Sequence, residues 1–111
     1  MNVTKTLIRS AVRYVRARES MLDAPRDDKG YIPEATMARY ERATRVLTDL
    51  PGNPDPADVI EAIAKAAQIS SGAVMVLARG SKKADVVVET LERRRRTFLA
   101  EPIRRSINFV N

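Results

Sequence analysis

The side chains in this sequence that could do chemistry are mostly cationic. Arg93, Arg94, Arg95 and Arg96 stand consecutively, with Arg79, Lys82 and Lys83 upstream and Arg104 and Arg105 downstream. A guanidinium is permanently charged and offers a planar fork of donors matched to phosphate or carboxylate. Four consecutive arginines wrap the whole circumference of a helix, so at least one must lay its stem over an apolar surface and send its head to an acceptor. Such density suits nucleic-acid phosphates or an acidic protein surface, and the competing account is pairing with Glu89, Glu92 and the acidic middle segment. A second basic stripe, Lys5, Arg9, Arg13 and Arg16, recurs at i, i+4, i+8 and i+11. On a helix it lies along one side, either as a phosphate-contacting row without sequence readout or as a solvated face.

Other chemistry is removed by what the chain lacks. There is no cysteine and no histidine, hence no disulfide framework, thiol nucleophile, Cys/His zinc site or imidazole base. The adjacent carboxylates Asp27 and Asp28 have no further ligands at coordinating spacing and read as part of a solvated loop. Gly30, Gly52, Gly72 and Gly80 stand singly, each at a turn, so no glycine loop cradles a phosphate group. No nucleophile is paired with a base. The expectation is a protein that is not an enzyme and carries no cofactor or metal.

The 111 residues carry a net charge of +6, unevenly placed. Residues 1–18 hold five bases and no acid, residues 19–69 six bases and ten acids, and residues 70–111 nine bases and four acids. Both ends are basic and the middle is acidic. Either the two ends converge into one surface for a polyanion, or they pair with the middle within the fold or across subunits. With three Tyr, two Phe and no Trp, the core must be built from Val, Ile, Leu, Ala and Met. Residues 1–18 share the Arg-rich, acid-free composition of a mitochondrial transit peptide, but they serve equally as a structural helix in a cytoplasmic protein, the reading preferred here. No uninterrupted apolar run near the start marks a secretory signal, and the longest uncharged run, Ala66 to Ala78, is too short to span a membrane.

These residues must be positioned by an all-α fold, a small compact bundle of about five helices in one domain, 1–111. A first helix, over about 4–22, is capped by Asn2 or Thr4 and buries Leu7, Ile8, Ala11, Val12, Val15 and Leu22. The charged stretch 23–32 is a loop. Pro33 opens a second helix to about residue 50, with Met37, Tyr40, Ala43 or Thr44, Leu47 and Leu50 inward and Arg39, Glu41, Arg42 and Arg45 outward. Pro51-Gly52-Asn53-Pro54 closes it as a tight connection. Asp55-Pro56-Ala57-Asp58 starts a third helix, over 56–68, whose Val59, Ile60, Ile63, Ala64 and Ala67 form one apolar face. Ser70-Ser71-Gly72 leads into a fourth, over 71–79. A fifth, over 82–100 and capped by Ser81, has an apolar seam of Val87 or Val88, Leu91 and Phe98 that the arginine run interrupts. Pro102 ends it before a tail or short helix over 102–110 with Ile103, Ile107 and Val110. The β-branched runs between 74 and 89 are also compatible with a short β-hairpin, but the helix-forming TLERRRRTFLAE that follows favours helices.

The spacing of Ile63, Ala64, Ala67, Ile69, Val74 and Leu77 resembles a helix-turn-helix of DNA-binding proteins. A small residue falls where the two helices cross, and hydrophobic residues clamp both. The resemblance covers about a fifth of the chain. Gln68 stands where a turn glycine is usual, and the outward positions of the second helix are Ser71, Gly72, Met75, Val76 and Arg79, of which only Arg79 is a strong base or phosphate ligand. The resemblance implies a DNA-binding regulator acting as an oligomer. Arg79, Lys82, Lys83 and Arg93, Arg94, Arg95 and Arg96 would contact phosphates, and Ser71 and Gly72 would allow close backbone approach. The alternative is a helical interaction protein, an assembly subunit or inhibitor of a larger enzyme, docking through Ala73 to Ala78 and its tail without nucleic acid.

Overall fold

The structure, a computed structural model, describes residues 1–80 and 86–96. It is an all-α bundle of α1 (Lys5–Asp23), α2 (Glu34–Thr48), α3 (Pro56–Ala67), α4 (Ser71–Gly80) and a fifth helix, α5, over residues 86–96. The preferred helices form on the described flanks and the alternative β-hairpin does not: residues 74–80 lie in α4 and 86–89 in α5. The expected cap Ser81, the segment 97–100 and the tail 102–110 lie outside the described residues.

Local chemistry sets the helix starts. The Thr4 hydroxyl accepts from the Leu7 amide at 3.1 Å and caps α1. At α3 the backbone N–H of Asp55 donates to the Asp58 carboxylate at 3.3 Å while Pro56 takes the first helical position, where its missing N–H costs nothing. The Ser70 hydroxyl accepts from the Ala73 amide at 3.1 Å and starts α4. Pro33 is the residue before α2 rather than its first.

α1 is the centre of the bundle, packing on α2, α3 and α4. Its buried arc, Leu7, Ile8, Ala11, Val12, Tyr14, Val15 and Ala17, is therefore wider than the apolar stripe in the sequence. Leu22, expected inside, is 49% exposed, because α1 runs past its neighbours there into the loop towards α2. In α3 the five expected residues Val59, Ile60, Ile63, Ala64 and Ala67 are all buried. From α2 only Leu47 is fully buried, and Tyr40 and Ala43, with Leu50 just beyond the helix end, pack against the cluster. Val87, Val88 and Leu91 of α5 join the same core. The loop before α2 is tied by Asp27, whose Oδ1 accepts from the amides of Lys29 at 2.9 Å and Tyr31 at 2.8 Å, with Gly30 at φ +85° completing the turn. Asp27 thus serves the loop.

Candidate nucleic-acid interface

α3 and α4 are joined by Gln68, Ile69 and Ser70, and the chain turns by 99° between them. The turn is a Schellman motif: the Gln68 N–H bonds the Lys65 carbonyl at 3.2 Å and the Ile69 N–H bonds the Ala64 carbonyl at 3.0 Å. Closing it requires a left-handed residue, and Gln68 supplies it at φ +56°, ψ +46°. The place where the sequence resemblance asks for glycine is thus the place where the backbone adopts a glycine conformation. Right-angled helices on a three-residue connection are the geometry of a helix-turn-helix.

The outward side of α4 matches its sequence in part. Ser71, Gly72, Val76 and Arg79 are exposed, Met75 is half-buried, and Val74 and Ala78 are core. Arg79 is held: its Nη1 lies 3.5 Å from Glu19 Oε1, and its Nε donates to the Met75 carbonyl at 3.3 Å. Arg18 reaches the same Glu19 carboxylate oxygen at 3.8 Å, so two guanidiniums share one acid at the ends of α1 and α4. Glu19 did not stand out in the sequence, because its contact with α4 spans sixty positions of chain. A shallow depression runs from Tyr14 and Arg18 past Ile60 and Glu61 to Ser71 and Met75.

The arginine run splits by burial. Arg93, Arg94 and Arg96 are exposed. Arg95 turns inward and donates from Nε and Nη2 to both carboxylate oxygens of Glu92, at 3.1 and 2.5 Å, as the helix-circumference argument requires of one member. Glu92 is only 7% exposed, a buried charge neutralised by a forked partner. The Arg95 hydrogen bonds hold its carboxyl below the ordinary glutamate range, against desolvation, with smaller help from Arg96 and Lys5; Glu92 in turn raises Arg95. Lys82 and Lys83 lie outside the described residues.

The α1 stripe also divides. Lys5, Arg9 and Arg13 are exposed, whereas Arg16 is half-buried and donates from Nε to the Ala78 carbonyl at 3.1 Å, closing the last turn of α4. Two further arginines, Arg39 and Arg42 of α2, approach Arg13 and Arg16 across a groove between α1 and α2. Among the described residues no group of carboxylates is arranged to hold a metal ion, and no single helix is long and apolar enough to cross a membrane.

Comparison with protein-family models, curated proteins and solved structures yields no match to this chain.

Proposed function

We propose that this is a small nucleic-acid-binding protein that presents the N-terminal half of α4 to duplex DNA and uses the exposed arginines of α5 as phosphate contacts. The observation that carries the reading is the α3–α4 turn: a 99° change of direction over three residues with a left-handed residue at its pivot. Exposed Ser71 and Gly72 are small enough to let the helix start come close to a phosphate, where its free N–H groups favour negative charge. Few groups on α4 can read bases, so affinity rests on charge, and pairing of two copies on one duplex supplies specificity. The test is titration of the full chain with a mixed duplex DNA and RNA pool from about 50 to about 200 mM salt. A steep loss of affinity with salt is expected, and Ser71→Glu, which sets a carboxylate against the phosphates, abolishes binding. Absence of binding at the lowest salt overturns the proposal.

A second reading has its own observation. Val76 is 61% exposed on the outward face of α4, beside half-buried Met75, while Arg79 is engaged by Glu19. An apolar outward face suits a protein partner better than a base edge. On that reading the chain forms an assembly that survives high salt on a sizing column, where a complex held by phosphate contacts dissociates.

A further inference from the structure

The groove between α1 and α2 is separate from the α4 surface and is built differently. The helices run antiparallel, so that Arg16 and Ser20 face Arg39 at one end and Thr4 and Leu7 face Leu50 and Pro51 at the other. Two contiguous hollows, of about 440 and 610 Å³, share Ser10 and Val46 and form one trough. From Thr4 to Ser20 it follows α1 for about 24 Å, the length of a helix of roughly sixteen residues. Its floor is aliphatic, with Ala17 and Ala43 under the basic end, Leu7 and Leu47 under the other, and Val46, 54% exposed, between them. The rim at one end carries four guanidiniums, those of Arg13, Arg16, Arg39 and Arg42, and no carboxylate among the described residues lines either hollow. Arg16 is already fixed by its bond to the Ala78 carbonyl. Arg13, Arg39 and Arg42 form no ion pair with any described residue.

We infer that this trough docks an acidic amphipathic helix of a partner protein, its apolar stripe on the aliphatic floor and its carboxylates at one end between the four arginines. Two antiparallel helices side by side leave a groove in which a third helix packs ridge into groove, and an i, i+3, i+4, i+7 apolar stripe matches a floor of this shape. Nucleic acid fits less well. Among the described residues the trough offers no aromatic face for a base, and its methyl groups give a phosphate nothing to bond. A second copy of the chain fits less well also. The described helices offer only fragments of such a face: α3 buries its apolar side and pairs its exposed Glu61 with Lys65 at 3.5 Å, and on α5 exposed Val86 and Glu89 are followed by exposed Arg93, Arg94 and Arg96.

The experiment is selection of a displayed library of randomised eighteen-residue peptides on the full chain, followed by anisotropy titration of the enriched peptides in labelled form. Enrichment of apolar residues at helical spacing with Asp and Glu clustered at one end is expected. Arg13→Glu with Arg42→Glu, and separately Val46→Asp, weaken binding at least about tenfold, since reversing rim charges turns attraction into repulsion and a carboxylate on the floor is left unpaired. Arg39→Glu provides an independent charge reversal, all four positions being exposed so that the fold, checked by thermal melting, is kept. Lys65→Glu on α3 leaves affinity unchanged. The proposal is overturned if no peptide is enriched, if the enriched peptides lack acidic residues, if these variants bind them as well as the parent does, or if a twenty-base-pair duplex displaces them.

Discussion

Replacing Arg94 and Arg96 together by Gln, and in a separate protein replacing Arg95 alone, distinguishes arginines that are adjacent in sequence but differ in their surroundings. Arg94 and Arg96 are exposed, so each is able to neutralise one phosphate. The dependence of log affinity on log salt then becomes shallower by about 0.9 for each, or about 1.8 for the pair. Arg95 already spends its fork on Glu92, so Arg95→Gln leaves that slope unchanged. Its cost falls on stability, because a carboxylate 7% exposed loses its charged partner. An unsatisfied group of this kind costs on the order of 1–3 kcal/mol, or a fall in melting temperature of roughly 4–12 °C for a domain of this size. Anisotropy of a labelled duplex across a salt series reads the slope, and calorimetry reads the melting temperature. The reasoning fails if Arg95→Gln flattens the salt dependence as strongly as the double variant, or if it leaves the melting temperature where it was.

Four further outcomes are expected. Gln68→Gly relieves the left-handed conformation at the α3–α4 turn and raises stability by about 0.5–1 kcal/mol in a denaturant melt, the gain being trimmed by the greater freedom of glycine in the unfolded chain. Leu47→Ala, at the one fully buried position of α2, costs about 2–5 kcal/mol in the same assay. Thr4→Ala removes the α1 cap and costs about 1 kcal/mol, read as a lower denaturation midpoint. Because the folded-state pKa of Glu92 is depressed, its contribution is full above the unfolded glutamate value of about 4.3 and is lost as pH falls through the lower folded value. Acid melts of the parent therefore show a loss of stability below that pH which Glu92→Gln does not share.

The helices were legible because their signals are local. Asp55-Pro56 and Thr4 announce helix starts by their own hydrogen bonding, and the 3.6 period selects Val59, Ile60, Ile63, Ala64 and Ala67 whatever they pack against. Gln68 was legible as well, as a position that ought to be glycine, and the backbone there is left-handed. Tyr14 and Ala17 were missed because how much of α1 is buried depends on how many neighbours surround it, and no pattern within one helix states that number. The four-arginine groove was missed for the same reason. Arg13 and Arg16, like Arg39 and Arg42, are i, i+3 pairs on what read as solvated faces. Only the antiparallel register of α1 and α2 brings the two pairs together, and no single helix carries that information. The repeated i, i+3 spacing on consecutive helices is the signal that could have suggested it.

The rings of Tyr14 and Tyr40 lie 6.0 Å apart, tilted by 33°, across the α1–α2 contact. The chain has no tryptophan, and its third tyrosine, Tyr31, is exposed in the loop. Its near-ultraviolet optical activity therefore arises chiefly from one pair of fixed rings, which gives the molecule an intrinsic spectroscopic gauge of the α1–α2 spacing. Anything that wedges between these helices changes that signal without a label, and a variant whose far-ultraviolet spectrum is intact but whose tyrosine band has vanished has kept its helices and lost their alignment.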